Sequence, residues 1–269
     1  MQQSPLRAAT LTLALLLAPT AFAQLDVDQV EPGWLGVVLS DEGSGALIER
    51  LVPGSPAGDA GIVPGMRVVG IGDTPIADVA ELIAVIGSTP AGTVVQVHID
   101  GQDEPVGVVL GVRSGDPAAI PRGMIGEPLP DLTVIDHRTG AAVPVFEPGA
   151  PVTIVEFWAT WCGPCRAAVP DMQDLHTRLG DDVRVIALTD ETADEIGNVP
   201  DELGMDWLIG RDVDGAVNEA MWVMSFPTWF VADANGTIVE VVTGGGRVAR
   251  VEAAALAVIG ADGSGDAAP

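Results

Sequence analysis

Lysine is absent from this 269-residue chain, cysteine occurs twice and histidine three times. All 12 cationic residues are arginine, set against 38 acidic ones for a net charge of −26. That shortage of positive charge excludes nucleic acid as a natural partner, because phosphate binding needs a basic face. The acidity itself implies a solvated surface that maintains solubility, including in a salty medium, and points to no particular cationic partner. Two cysteines are also too few for disulfide stapling, which spreads an even set through the loops of a secreted chain, and here Cys162 and Cys165 stand together. A zinc half-site is the other ordinary use of such a pair. Structural zinc wants four ligands, and His98, His137 and His176 are scattered without ligand spacing, so neither a metal nor another cofactor is expected.

Long apolar runs are scarce too. The run from Ala8 to Ala21 follows Arg7, is broken by Pro19 and is short of the roughly 20 residues a bilayer helix needs. It ends in Ala21-Phe22-Ala23 before Gln24, a small-x-small cleavage pattern. Residues 1–23 thus read as a signal peptide, which places the mature protein in the periplasm or outside the cell; an uncleaved anchor is the alternative. No cysteine near the cleavage point invites a lipid anchor. Loss of Arg7 with the leader would take the net charge from −26 to −27.

About 245 residues then remain, enough for two ordinary domains. Residues 114–126 are rich in Gly and Pro, lack hydrophobic period and read as a linker. Ahead of them, residues 33–113 hold short strand-like runs such as Gly36-Val37-Val38-Leu39, Ala46 to Val52 and Val94 to Ile99. One helix interrupts these, from about Ile76 to Ile86, with Val79, Leu82, Ile83 and Ile86 at helical spacing. Residues 127–260 instead alternate strand and helix as an α/β layer structure requires. In that half Val152 to Phe157 reads as a buried strand, Gly163 to Leu179 as a helix containing Pro170, and Val183 to Leu188 as the next strand. Met224 to Val231 and Gly236 to Val242 suggest an antiparallel pair, and a last helix runs from about Arg247 to Ile259. Residues 261–269 are expected to be a disordered tail.

The cysteines lie in Val155-Glu156-Phe157-Trp158-Ala159-Thr160-Trp161-Cys162-Gly163-Pro164-Cys165, where a strand gives way to a helix. A two-residue spacer keeps both sulfurs within disulfide reach. A helix starting there aims free N–H groups and its positive dipole end at the first sulfur, and both favour thiolate, the form that attacks disulfides. Cys162 is therefore expected to be the exposed attacking sulfur and Cys165, one turn inside the helix, the resolving one.

This run resembles the active site of the thioredoxin superfamily, and most closely its secreted TlpA/ResA branch. Gly126-Glu127-Pro128-Leu129-Pro130-Asp131-Leu132 and the segment Pro227 to Gly236 extend the resemblance over the whole second half, and the stretch from Asp190 to Asp214 matches a helical insertion of that branch. The resemblance implies a thioredoxin-like fold and thiol–disulfide exchange through Cys162 and Cys165. It makes Pro227 a cis-proline opposite the pair, beside backbone groups that grip the substrate strand. Phe226 would line the site, although packing would equally explain it. Gly163 and Pro164 form the spacer found in reducing members, Trp161 would shelter the sulfurs, and Trp158 reads as core. Glu156 falls where thioredoxins carry a buried, proton-exchanging Asp, with Ile186 aligned to the Lys that accompanies it. An apolar neighbour would raise the acid's pKa; a Glu bent outward into water is the alternative.

The first half resembles a bacterial PDZ domain of the HtrA type, through Trp34-Leu35-Gly36-Val37, Val52-Pro53-Gly54-Ser55-Pro56-Ala57-Gly58-Asp59-Ala60-Gly61-Ile62, Gly65 and Ile71-Gly72-Asp73-Thr74-Pro75-Ile76. Met66-Arg67 stands where the family has Asp after Gly65, and Asp100 replaces a basic residue. The resemblance implies a small β-barrel or sandwich with a helix, binding a partner's C-terminal peptide. Leu35, Gly36 and Val37 would meet the carboxylate, with Val79 and Leu82 facing the ligand or simply serving as core. A spacer or dimerisation role is the other use of such a module.

Together these features make the chain a multidomain protein, PDZ then thioredoxin-like, and imply an exported reductase or isomerase of protein disulfides that draws electrons from a membrane or exported thiol donor. The alternative is a PDZ scaffold or quality-control adaptor whose cysteines are only a redox switch. Peroxide reduction is weakened by the lack of a Pro-x-x-x-Thr-x-x-Cys run.

Overall fold

The computed structural model describes residues 31–116 and 119–262. The leader and most of the expected tail lie outside the described residues. Among the described residues, no helix is long and apolar enough to cross a membrane.

The first half comprises β1 (Gly33–Trp34), β2 (Val37–Ser40), β3 (Ala46–Leu51), α1 (Pro56–Asp59), β4 (Arg67–Ile71), β5 (Thr74–Pro75), α2 (Val79–Ser88), β6 (Val94–Ile99), β7 (Val106–Val109) and β8 (Gly111–Val112). One antiparallel sheet runs β2-β3-β4-β6-β7, with β5 beside β4, and β1 pairs with β8. Alternation builds its core: in β6, Val95, Val97 and Ile99 are buried while Val94 and Gln96 face solvent. Helix α2 starts where the Asp78 carboxylate accepts the Glu81 N–H at 2.8 Å, and Glu81 reaches back to the Ala77 N–H at 2.8 Å. Its Leu82 and Ile86, four residues apart, are buried in the sheet's core. This leaves β2 as a sheet edge.

The segment read as a linker carries local structure. Ala119–Arg122 forms a helical turn, α3, Pro121 and Met124 are buried, and the Gly126 N–H donates to the Ile238 carbonyl at 2.8 Å. Ile120 and Met124 lie one turn apart, enough apolar surface to fasten a Gly/Pro-rich string once a partner surface exists. Gly123 permits a close approach: a Cβ there would lie 2.4 Å from the Pro53 carbonyl oxygen. Gly123→Ala should therefore cost about 1–3 kcal/mol through forced separation of the two backbones. Urea unfolding checks this; a midpoint equal to the parent's would mean the contact is slack.

The second half follows as β9 (Thr133–Asp136), β10 (Ala142–Pro144), β11 (Val152–Phe157), α4 (Gly163–Leu179), β12 (Val183–Thr189), α5 (Ala193–Ile196), α6 (Val199–Glu202), β13 (Leu208–Arg211), α7 (Ala216–Ala220), β14 (Thr228–Ala232), β15 (Ile238–Thr243) and α8 (Val248–Asp262). Its seven-stranded sheet has the order β10-β9-β13-β12-β11-β14-β15, with β11, β12 and β13 parallel. Every residue of the central strand β11 is buried. Val152 and Ile154 pack on the face that carries Cys165, Ala168 and Met172 of α4, whereas Val155 and Phe157 pack on the other with Ile186 and Phe230. The sheet thus delivers the chain from the end of β11 straight into the start of α4.

Candidate functional site

Cys162 is the N-cap of α4, and its sulfur accepts the Cys165 N–H at 3.2 Å. The two sulfurs are joined in a disulfide with the Cα atoms 5.3 Å apart. One sequence expectation is corrected here: in this oxidised state Cys162 is not exposed, at 5 % against 1 % for Cys165. Helix packing explains why, since both sulfurs belong to the cluster formed by β11, α4 and α8. Gly163 and Pro164 of the spacer are exposed. Trp161 is 72 % exposed and meets Phe226 with ring centroids 6.0 Å apart, while Trp158 is buried. The Phe226–Pro227 bond is cis, and Pro227 is buried just ahead of β14 rather than within the strand, its carbonyl accepting the Gly244 N–H at 2.8 Å. The sulfurs, the Trp161–Phe226 pair and the proline thus converge on one end of the sheet.

Glu156 is buried, on the α4 side of β11, and its Oε2 has no hydrogen-bond partner. Its cross-strand neighbours are Ala187 and Trp229; Ile186 pairs with Val155 and faces the opposite side. The alignment of Ile186 to this acid is therefore one residue off, and Ala187 takes the place beside it, equally apolar. Burial pushes the Glu156 carboxyl up to about 8, offset in part by the Trp229 indole, which approaches without reaching hydrogen-bond geometry. Such an acid holds a proton near neutrality and can exchange it.

A groove of about 830 Å³ lies between β2 and α2. Val79, Leu82, Ile83 and Ile86 all border it, although Leu82 and Ile86 are mainly core and Ile83 is exposed. At its end the Leu35 carbonyl accepts the Ala57 N–H at 3.0 Å and the Gly36 carbonyl accepts the Val52 N–H at 2.9 Å. In a trans peptide the C=O and the next N–H point opposite ways, so the Gly36 and Val37 N–H groups turn away from these bonds. Gly36 is required there: its φ is +73°, and a Cβ would lie 2.3 Å from that of Ser55.

Residues 24–100 match the PDZ domain and residues 125–241 the AhpC/TSA family. The chain joins a PDZ domain to a thioredoxin-like domain. The thiol-disulfide oxidoreductase ResA of Oceanobacillus iheyensis is 33% identical over 101 residues, 37% of this chain and 53% of ResA. This chain thus spans about half the length of that relative. A probable periplasmic serine endoprotease, DegP-like, of Marinomonas sp. is 31% identical over 122 residues, 38% of this chain and 26% of that protein. The crystal structure of a putative thiol:disulfide interchange protein DsbE from Chlorobium tepidum aligns at TM-score 0.45 and 25% identity, over 50% of this chain and 96% of that one.

Two features of the thioredoxin-like domain carry no local sequence signal. The buried Glu191 carboxylate accepts the Thr160 N–H at 2.7 Å and the Thr160 and Thr189 hydroxyls, pinning the loop two residues ahead of Cys162. Trp222 and Met224 border the groove of the PDZ domain.

Proposed function

We propose that this protein is an exported thiol–disulfide oxidoreductase that reduces or isomerises protein disulfides, and that its PDZ domain holds a partner's C-terminal peptide. The observation that carries the first part is the Cys162–Cys165 disulfide at the start of α4, with Cys162 Sγ accepting a helix N–H that would stabilise its thiolate. Reduced Cys162 attacks a client disulfide and releases one client thiolate. Cys165 then attacks Cys162 Sγ, freeing the second client thiol and leaving the disulfide seen here. Glu156, in its carboxylate form, takes the proton from Cys165 as it attacks, and the backbone beside Pro227, flanked by Phe226 and Trp161, receives the client strand. The cycle then needs an external dithiol, a membrane or exported thiol donor. The Gly163-Pro164 spacer favours reduction: it is the spacer of thioredoxins, near about −270 mV, against about −120 mV for strong oxidants.

Docking is supported by the outward Gly36 and Val37 N–H groups, the open edge of β2 and the apolar groove. The leader-like residues 1–23 and the DegP-like relative support export.

Insulin reduction by the full chain with dithiothreitol as donor tests the chemistry, and peptides ending in a free carboxylate after an apolar residue test the docking. Turnover well above the donor alone is expected, with peptide affinity falling about tenfold on amidation of the terminus. Background turnover removes the enzymatic reading; indifference to amidation removes the docking.

A further inference from the structure

We propose that the PDZ groove and the redox site are two ends of one client-binding surface, with Trp222 and Met224 of the thioredoxin-like domain reading the client residues that run between them. This rests on the docking and disulfide-exchange reading above. The groove is not made by the PDZ domain alone. Ile83 on α2 is 60 % exposed and Met224 is 59 % exposed, and both line the groove, one from each domain. Exposed apolar residues gathered in one concave surface mark a binding site, unlike such residues scattered singly.

Trp222 is fixed where it stands. It follows α7 with φ +53°, in the left-handed conformation that usually calls for glycine. Its N–H donates to the Glu219 carbonyl at 3.2 Å and that of Val223 to the Asn218 carbonyl at 3.2 Å, closing the helix. Arg50, on β3 of the PDZ domain, places its guanidinium 4.1 Å from the centre of the Trp222 ring and donates to the Glu219 side chain at 2.5 Å and the Glu219 carbonyl at 2.7 Å. The buried Asp212 carboxylate holds the other end of α7 through the Val217 and Asn218 N–H groups, at 3.1 and 2.8 Å. An unfavourable backbone conformation held from both domains keeps the indole at the groove wall.

The same segment leads to the chemistry. Met224 is two residues from Phe226, a span of at most about 7 Å. Phe226 packs on Trp161, the neighbour of Cys162, and precedes the cis-proline. Groove wall and Cys162 are thus at most roughly 20 Å apart, a gap that five or six extended residues can span. The occupant this surface fits is an extended peptide whose free carboxylate meets the Gly36 and Val37 N–H groups. Its last residues add to the edge of β2, and its upstream residues pass Trp222 and Met224 towards Cys162. Arg113, also lining the groove, adds positive charge suited to such an acidic end. The preferred client sulfur then lies about eight to twelve residues before the C-terminus, four residues in the groove and the rest crossing the wall.

The test uses the full chain carrying Cys165→Ser, reduced, and peptides of about sixteen residues ending in free valine. Each holds one cysteine as a mixed disulfide with thionitrobenzoate. Cys162 thiolate attacks the peptide sulfur, the Cys162–peptide disulfide forms, and thionitrobenzoate leaves as the coloured thiolate that is read. Release should be at least about tenfold faster with the cysteine eight to twelve residues from the end than with it nearer than five, because tethering raises local concentration. With a cysteine-free peptide, Trp222→Gly and Met224→Ala should each weaken binding about five- to tenfold. Glycine keeps the left-handed turn, and Met224→Leu should bind within about twofold of the parent, so loss of fold is separated from loss of contact. Release independent of cysteine position, together with unchanged affinity in both variants, overturns the shared surface while leaving PDZ docking intact. Equal affinity for free and amidated termini overturns the docking reading, and this inference with it.

Discussion

Cys162→Ser should lower insulin reduction by about 10⁴-fold or more, the scale seen when a covalent nucleophile is removed. Cys165→Ser should be as poor in multiple turnover and yet react once, because its Cys162 still attacks. The asymmetry follows from position on α4. Cys162 is the helix cap and receives a backbone N–H on its sulfur, whereas Cys165 lies inside the first turn and is buried. A thiolate is stabilised at the first place and not at the second. The near-complete burial of Cys162 in the oxidised state does not oppose this, since the attack belongs to the reduced protein. Two variants equally inert in a single turnover would show that the sulfurs are not divided in this way.

Glu156→Gln should change both stability and rate, in a pH window set by its carboxyl near 8 rather than 4.5. Below pH 4.5 the acid is protonated folded or unfolded and contributes no pH dependence. Between 4.5 and about 8 the folded chain binds the extra proton, so stability falls as pH rises, by up to about 5 kcal/mol across the window. Glutamine cannot ionise, and the difference in unfolding free energy between variant and parent should therefore grow in the variant's favour through that range. Resolution of the mixed disulfide should move oppositely, slowing by about 10²-fold above pH 7, where the parent's carboxylate has begun to act as base. Denaturant unfolding at pH 5, 7 and 8.5 and single-turnover kinetics check the two halves. A flat stability difference would place the acid in water; an unchanged rate profile would make it a bystander to proton transfer.

The second half was most legible where one helix or strand carried its own pattern. Ala168, Met172, Leu175 and Leu179 repeat at helical spacing, and α4 runs over Gly163–Leu179. The mostly apolar run Val152–Phe157 is a strand buried on both faces, as central strands of sheets covered on both sides are. Short pieces were not legible. Strand β13 is four residues, Leu208–Arg211, inside a stretch read only as a helical insertion, and it exists because β12 and β9 flank it. The β9–β10 hairpin has few apolar residues to announce it. The linker showed no hydrophobic period because its contacts are with Pro53 and Ile238, far away in sequence. The same applies to Arg50, whose partner Glu219 is 169 positions distant. At the candidate site, the sulfurs, Pro227 and Glu156 were singled out by spacing and resemblance, and the structure shows the disulfide, the cis bond and the buried acid there. The register of β12 on β11 could not be read to one residue, so Ile186 was aligned where Ala187 lies.

The most direct measurement is mass-spectrometric mapping of the covalent complex formed when reduced full-length Cys165→Ser protein meets oxidised insulin. The expected product is a single protein–insulin disulfide whose tryptic peptide contains Cys162, absent when Cys162→Ser is tested in its place. No covalent complex from Cys165→Ser, or an equal yield through Cys165 in the Cys162→Ser protein, would contradict the assignment of Cys162 as the attacking sulfur.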